Sequence, residues 1–373
     1  EWNDLTLEQK NKIQKLGING ISFLRDLRRS YPQEEVSAHV VGITDIDRKG
    51  LQGTEKLFDA YLGSIKGSFI GLKDRKGNKL IGERVEAQRG QNIITTLDIR
   101  LQSIAYSELE SSVKDHGAVS GSIIMVDPKS SEILVMANYP SFKPSNRKKL
   151  VDFSSLRNRS AIDLFEPGSV FKPLAMAAII DFSKLSTDHT VDTSPGWIDF
   201  EGYRTSDFRD YGILTLSDII SRSSNVGMVK LCSKVATDFI YDYLSNFGIG
   251  SYPSGVLINS REGFLSYTDA VTERDKVSAC YGYGVSVTAL HLAQAYSVLA
   301  SNGIYKELRL FKDIENLPIA KERRILSERT TSLVNSMLER TVNSKTGTGK
   351  KAKIKGILVA GKTGTSIKIK DNI

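Results

Sequence analysis

The stretch Glu166-Pro167-Gly168-Ser169-Val170-Phe171-Lys172-Pro173-Leu174-Ala175-Met176-Ala177-Ala178-Ile179-Ile180 decides the fold. Pro167 and Gly168 make a turn. After Ser169 the chain reads as a helix that is apolar on every side, and such a helix belongs inside a protein. Pro173 is compatible with it only in the first turn, where a missing N–H costs nothing. Ser169 and Lys172 stand three residues apart and so share a face. A hydroxyl at a helix N-terminus gains from the positive end of the dipole once it carries charge. A lysine forced into an apolar setting has its pKa lowered, the more so beside another cation. A neutral amine placed there can take the serine proton, which is the serine–lysine form of nucleophilic catalysis.

Ser-x-x-Lys alone is a weak signal, since it recurs at Ser111/Lys114 and Ser145/Lys148 in polar stretches where a lysine keeps its proton. Two further elements strengthen it. Ser223-Ser224-Asn225 is the only Ser-x-Asn in the chain, and by itself it reads as a helix cap or a surface polar cluster. Lys362-Thr363-Gly364-Thr365 follows an apolar run at 357–360. On a strand, Lys362 and Gly364 would face one way and Thr363 and Thr365 the other, and the glycine would let a ligand or another backbone come close.

Two decoys sit nearby. A second Lys-Thr-Gly-Thr at 345–348 lies between Asn343-Ser344 and Gly349-Lys350-Lys351, and reads as a lysine- and glycine-rich loop. Residues 356–363 match the phosphate-loop pattern Gly-x-x-x-x-Gly-Lys-Thr. That motif needs a strand before its first glycine and a helix after its Lys-Thr. Here a lysine-rich segment precedes it and an alternating, strand-like segment follows, so the nucleotide-binding reading is set aside.

The chain has 373 residues, 40% of them apolar and 25% charged, values that fit a folded chain of two domains and exclude disorder, collagen and coiled coil. No apolar run approaches the roughly 20 residues of a membrane span. Cys232 and Cys280 are too few for a disulfide scaffold, and could pair or stay free. The net charge of +8 suggests a polyanion, but residues 345–373 alone hold eight lysines against one acid. With the excess so localised, no basic face covers the molecule and nucleic acid is not expected. His39, His116, His189 and His291 show no metal-ligand spacing and read as surface or packing residues; no metal or cofactor is expected.

Residues 1–91 read as a helix, a strand-like run at 18–27, a strand at 39–43, a short helix at 54–62 and a hairpin tip at 73–78. With little core of its own, this part resembles an accessory pedestal. From residue 92 the expected order is a strand at 93–97, then a helix capped by Asp98 with apolar face Leu101, Ile104, Ala105 and Leu109, then a hairpin of 121–126 with 132–137. Helices at 169–180, 217–235, 238–247 and 288–300 and a last strand at 357–360 complete it. Strands at both ends with helices between predict an α+β fold whose sheet joins the ends of 92–373.

The ordered set Ser169-x-x-Lys172, Ser223-x-Asn225 and Lys362-Thr363-Gly364 resembles the penicillin-recognising serine acyltransferases. The flanks Phe165-Glu166-Pro167-Gly168, Val226-Gly227, Gly282-Tyr283-Gly284 and Ala360-Gly361 are similar to those of class B penicillin-binding proteins, in particular the division-specific peptidoglycan transpeptidases. Arg28-Arg29-x-Tyr31-Pro32 and Gly50-Leu51-Gln52-Gly53-Thr54-Glu55 extend the likeness over nearly the whole chain.

The resemblance implies a serine β-lactamase-like transpeptidase domain over 92–373, a sheet flanked by helices, preceded by a partial mixed α/β pedestal over 1–91. It implies that Ser169 attacks the D-Ala–D-Ala bond of a stem pentapeptide, with Lys172 as base and Ser223 as relay to the leaving amine. Asn225 would hold the substrate amide. Lys362 would depress the pKa of Lys172 and, with Thr363, Gly364 and Thr365, bind the terminal carboxylate; the N–H groups of Ser169 and Thr365 would form the oxyanion hole. Glu166 would be a turn residue. Implied partners are peptidoglycan stem peptides on lipid-linked glycan, β-lactams, a SEDS-type glycan polymerase (FtsW) and other division proteins. The implied place is the periplasmic face of the inner membrane at the septum. The family pattern also includes an N-terminal membrane helix and a strand and helix after Lys-Thr-Gly, so a longer parent chain is expected. A recruiting scaffold with weak catalysis and an elongation-specific transpeptidase are the alternatives.

Overall fold

The computed structural model describes residues 5–23, 29–65, 67–73, 79–149, 152–186, 188–253, 255, 259–265, 271–312, 314 and 322–366. The chain divides into two compact units, Glu1–Pro32 and Gln33–Ile373. The first holds the helix Leu7–Lys15, opened by a capping box in which Thr6 and Gln9 exchange side-chain and backbone hydrogen bonds. The strand expected at 18–27 is not formed over 18–23, which run as turn and coil; 24–27 lie outside the described residues.

In the second unit no strand forms at 39–43: residues 39–41 end a helix, Glu34–Val41, and 42–43 are coil. Glu34 and Glu35 suit its positive end. The buried His39 ring bonds Ser155 O at 2.8 Å, and burial lowers its pKa to about 4. Residues 54–62 form two short helices, Gly53–Leu57 and Asp59–Leu62. Strands Ser68–Lys73 and Lys79–Val85 pair antiparallel as expected for a hairpin, whose tip at 74–78 lies outside the described residues.

The part of the chain from residue 94 onward is layered. Asp98 caps the helix Ile99–Asp115 through the N–H groups of Arg100 and Leu101 at 2.9 and 3.3 Å. Ala105, Leu109 and Val113 of this helix pack on Val135 and Ala137 of the hairpin Gly121–Val126/Ile133–Tyr139. Ile104 points to solvent instead, and Tyr106 takes the buried place. The other side of the hairpin, through Ile133 and Met136, meets Leu290 of helix Ala289–Ala300 together with Leu308, Leu310 and Phe311. Strand Ile94–Thr95 pairs with Phe311–Lys312. The sheet material is thus flanked by helices, giving the α+β architecture.

A second core surrounds the helix Lys172–Ser183. Residues 172–180 are all fully buried, as an all-apolar helix requires. Helices Asn225–Cys232, Thr237–Ser245, Glu273–Cys280 and Glu328–Asn343 pack around it. Each buried Leu, Ile or Met there contributes roughly 1.5–3 kcal/mol. Cys232 and Cys280, both buried, form a disulfide between two of these helices, with Cα atoms 6.5 Å apart.

Two further expectations are corrected. The single helix at 217–235 is two, Leu216–Arg222 and Asn225–Cys232, broken at Ser223-Ser224 because Ser223 adopts the left-handed conformation at φ 62°. The strand at 357–360 is not formed, and no sheet among the described residues joins it to the hairpin. Gly356, at φ 80°, lets 354–357 close into a turn bridged by Ile354 and Ile357, and the coil beyond finds no ladder partner among the described residues.

Candidate active site

The site lies where the two corrected segments meet the buried helix. Gly168–Phe171 is one turn of 3-10 helix leading into Lys172–Ser183, so Ser169 stands half-buried at the mouth of the core and Lys172 is its first buried α-helical residue. The Tyr296 hydroxyl donates to Val170 O at 2.7 Å and fixes the turn from below. Glu166 accepts the Gly284 N–H at 2.8 Å, and the Gly168 N–H reaches Gly282 O at 2.9 Å. Glu166 is therefore a turn residue tied to Gly282-Tyr283-Gly284, as the flanking pattern implied.

Two glycines bring the last segment onto this turn. Gly168 has φ 56°, and a Cβ on it would lie 2.5 Å from Thr365 O. A Cβ on Gly364 would lie 2.7 Å from Val170 Cγ1 and 3.2 Å from Pro167 O. Any side chain at either position would push 362–365 away from Ser169.

The break at Ser223 supplies the third wall. A straight helix would carry Ser223 and Asn225 to faces about 200° apart; the break turns both toward Lys172. Lys172 Nζ donates to Ser223 O at 2.7 Å, Ser223 Oγ at 3.3 Å and Asn225 Oδ1 at 2.6 Å. Lys362 Nζ donates to the same Ser223 Oγ at 3.0 Å and to Thr363 O at 2.7 Å. The structure thus brings Lys172, Ser223, Asn225 and Lys362 into one network and lays Gly364 and Thr365 beside the Ser169 turn. No hydrogen bond joins Ser169 to Lys172 among the described residues.

Burial drives the Lys172 amine well below the ordinary lysine range; the Lys362 charge lowers it further, and Asp207 opposes both. Lys362 is itself lowered to about 8 by burial. An ammonium offers three donors, and Lys172 meets three acceptors. The neutral amine keeps two N–H bonds, enough for Ser223 O and Asn225 Oδ1, and its lone pair is then free for a hydroxyl proton. Ser223 Oγ, accepting from Lys362, can turn its own proton to that lone pair. The arrangement can take a proton from a serine and hand it along a hydroxyl.

Sequence reasoning missed Asp207. Its carboxylate accepts from Asn225 N at 2.5 Å, Val226 N at 3.0 Å and Ser224 Oγ at 2.6 Å, so it closes the N-terminus of Asn225–Cys232 and fixes Ser223-Ser224-Asn225. A turn aspartate seventeen residues upstream of Ser224 has no spacing that announces this role. Asp207→Asn is expected to cost about 1–2 kcal/mol of stability, read as a denaturation midpoint. It should also move the acidic limb of any Lys172-dependent rate to lower pH, because the anion that raises the Lys172 pKa is gone.

The pattern of the penicillin binding protein transpeptidase domain matches residues 121–372. The peptidoglycan D,D-transpeptidase FtsI of Escherichia coli is 35% identical over 358 residues, 96% of this chain and 60% of its own length. The probable peptidoglycan D,D-transpeptidase PenA of Neisseria gonorrhoeae is 33% identical over 374 residues, 98% of this chain and 63% of its own. The chain spans about three fifths of the length of these curated relatives. Among solved structures, apo penicillin binding protein 3 of Mycobacterium tuberculosis superposes with a TM-score of 0.83 at 30% identity, over 92% of this chain and 77% of that one. A peptidoglycan synthetase of Bifidobacterium adolescentis gives 0.82 at 26% identity, over 99% and 69%.

Proposed function

The chain belongs to the penicillin-binding protein transpeptidase family, and on that premise we propose that it is a serine D,D-transpeptidase that cross-links peptidoglycan stem peptides. One observation carries the reading: a fully buried lysine, Lys172, is held by Ser223 and Asn225, and Lys362 donates to that same Ser223 hydroxyl.

Ser169 Oγ attacks the carbonyl carbon of the penultimate D-alanine while neutral Lys172 takes its proton. The N–H groups of Ser169 and Thr365 receive the developing oxyanion; the close passage of Thr365 over Gly168 supports that placement. The C–N bond breaks, and the terminal D-alanine leaves with a proton passed through Ser223. Asn225 holds the substrate amide, and Lys362, Thr363, Gly364 and Thr365 receive the terminal carboxylate. An amine of a second stem then attacks the ester, forms the cross-link and returns Ser169. β-Lactams enter as the same acylating shape and remain as esters. Residues 1–91 form the non-catalytic pedestal and 92–373 the transpeptidase domain. Likeness to proteins named peptidoglycan D,D-transpeptidase FtsI supports peptidoglycan synthesis as the setting; on the division-specific resemblance of the motifs, the reading extends to septal synthesis on the periplasmic side of the inner membrane, beside a SEDS-type polymerase and other division proteins.

With stem pentapeptides ending in D-Ala–D-Ala, the protein is expected to release D-alanine and form linked dimers. Equal product from the Ser169→Ala variant would overturn the reading.

A further inference from the structure

The second Lys-Thr-Gly-Thr, at 345–348, is a loop, as its flanks predict, but it does not stand apart from the cleft. The helix Glu328–Asn343 ends just before it. The Gly349 N–H turns back to Thr341 O at 3.0 Å, and the buried Gly347 has no room for a side chain, since a Cβ would lie 2.1 Å from Thr341 O. This tight return carries Thr348 to two walls of the site. Its backbone N–H donates to Ser221 O at 3.1 Å and its hydroxyl to the same oxygen at 3.4 Å. Its Oγ1 accepts from the Thr363 hydroxyl at 2.9 Å. Ser221 lies in the last turn of Leu216–Arg222, where carbonyls lack an intrahelical donor and need an outside one. Thr348 therefore ties the stem of the Ser223 break to the residue that follows Lys362.

We propose that Thr348 is a positioning residue that sets the Thr363 hydroxyl for the terminal carboxylate of the substrate. The proposal rests on the transpeptidase reading above. In the structure the hydroxyl protons run one way, from Thr363 to Thr348 to the Ser221 carbonyl. An arriving carboxylate offers only acceptors, so the Thr363 O–H must turn toward it. The Thr348 hydroxyl can then donate to the Thr363 oxygen, because the Thr348 N–H keeps the Ser221 carbonyl bonded. The chain reverses with every member still paired, and a hydroxyl that receives a hydrogen bond is a better donor in turn.

Thr348→Val removes this hydroxyl and keeps the backbone N–H and the side-chain shape. The test compares acylation of the purified full chain by benzylpenicillin and by its methyl ester, which lacks the anionic carboxylate. For the free acid, the second-order rate constant is expected to fall about five- to tenfold, the loss of one hydrogen bond, through weaker binding rather than a slower acylation step. The ester rate should stay within about twofold of the parent. Thr348→Ser should restore the acid rate. The acid-to-ester ratio is internal to each preparation, so a partly unfolded variant cannot imitate the effect. An unchanged ratio in Thr348→Val, or a Thr348→Ser variant as impaired as Thr348→Val, would overturn the proposal. A wild-type chain acylated by neither agent would remove the transpeptidase reading along with it.

Discussion

Lys172→Met is expected to slow acylation at Ser169 by about 10³-fold, the scale of a lost general base, while the variant stays folded with a cooperative thermal transition. Lys172 is fully buried at the start of the core helix. Methionine fills a similar length of the core without the cost of burying an amine. Against that, Ser223 O and Asn225 Oδ1 lose their donor, at about 1–3 kcal/mol for each if it stays dry. Activity and stability therefore separate in this variant, which a purely structural lysine would not allow. The pH dependence carries the same signature. Lys172 works as the neutral amine, so the rate rises as pH climbs through its depressed pKa. Lys362 works as a cation and loses its charge near pH 8, so the rate falls above that. In Lys362→Gln the acidic limb should move to higher pH, since the cation that lowers Lys172 is gone, and the alkaline limb should vanish. Labelling rates with fluorescent penicillin across pH 5–10 read both limbs.

Ser223→Gly is expected to slow acylation by about 10²-fold without loss of stability. Ser223 sits at φ 62°, ψ 39°, a conformation that costs an L-residue about 1 kcal/mol and glycine little. The substitution keeps the break between the two helices and deletes only the hydroxyl that accepts from both Lys172 and Lys362. Ser223→Ala should be as slow, and about 1 kcal/mol less stable than the glycine variant. If the serine served only to end a helix, glycine would be the better residue and the variant would be fully active. Denaturation midpoints and labelling rates on the same preparations decide between the two.

These two residues also show what could be read from sequence. The Lys172 helix was legible because its apolar character on every side admits one solution, burial, and burial is what changes lysine chemistry. The Asp98-capped helix and the hairpin that follows it were legible for similar local reasons, a capping side chain and a turn between alternating strands. Ser223-Ser224-Asn225 was legible as a motif, and a helix cap was among its readings, but the interruption of the helix expected at 217–235 was not. Local propensity across 217–235 favours one helix, and it is Asp207, a distant acceptor for Ser224 Oγ and two backbone N–H groups, that makes a second N-terminus worth forming. The strand expected at 357–360 failed for the opposite reason. A run of strand formers describes side-chain preference, while a strand also needs a ladder partner, and here Gly356 turns the chain first. The second Lys-Thr-Gly-Thr was rightly read as a loop, yet a loop's contacts are set by where its helix ends, which spacing does not encode.

The central claim is that Ser169 becomes the acyl-carrying atom. It is tested most directly by incubating the chain with benzylpenicillin, weighing the intact protein and mapping the modified peptide. The account predicts one adduct with the mass of the whole antibiotic, located on Ser169 and absent from Ser169→Ala. An adduct of equal extent in Ser169→Ala, or one mapped to any other residue, would contradict it.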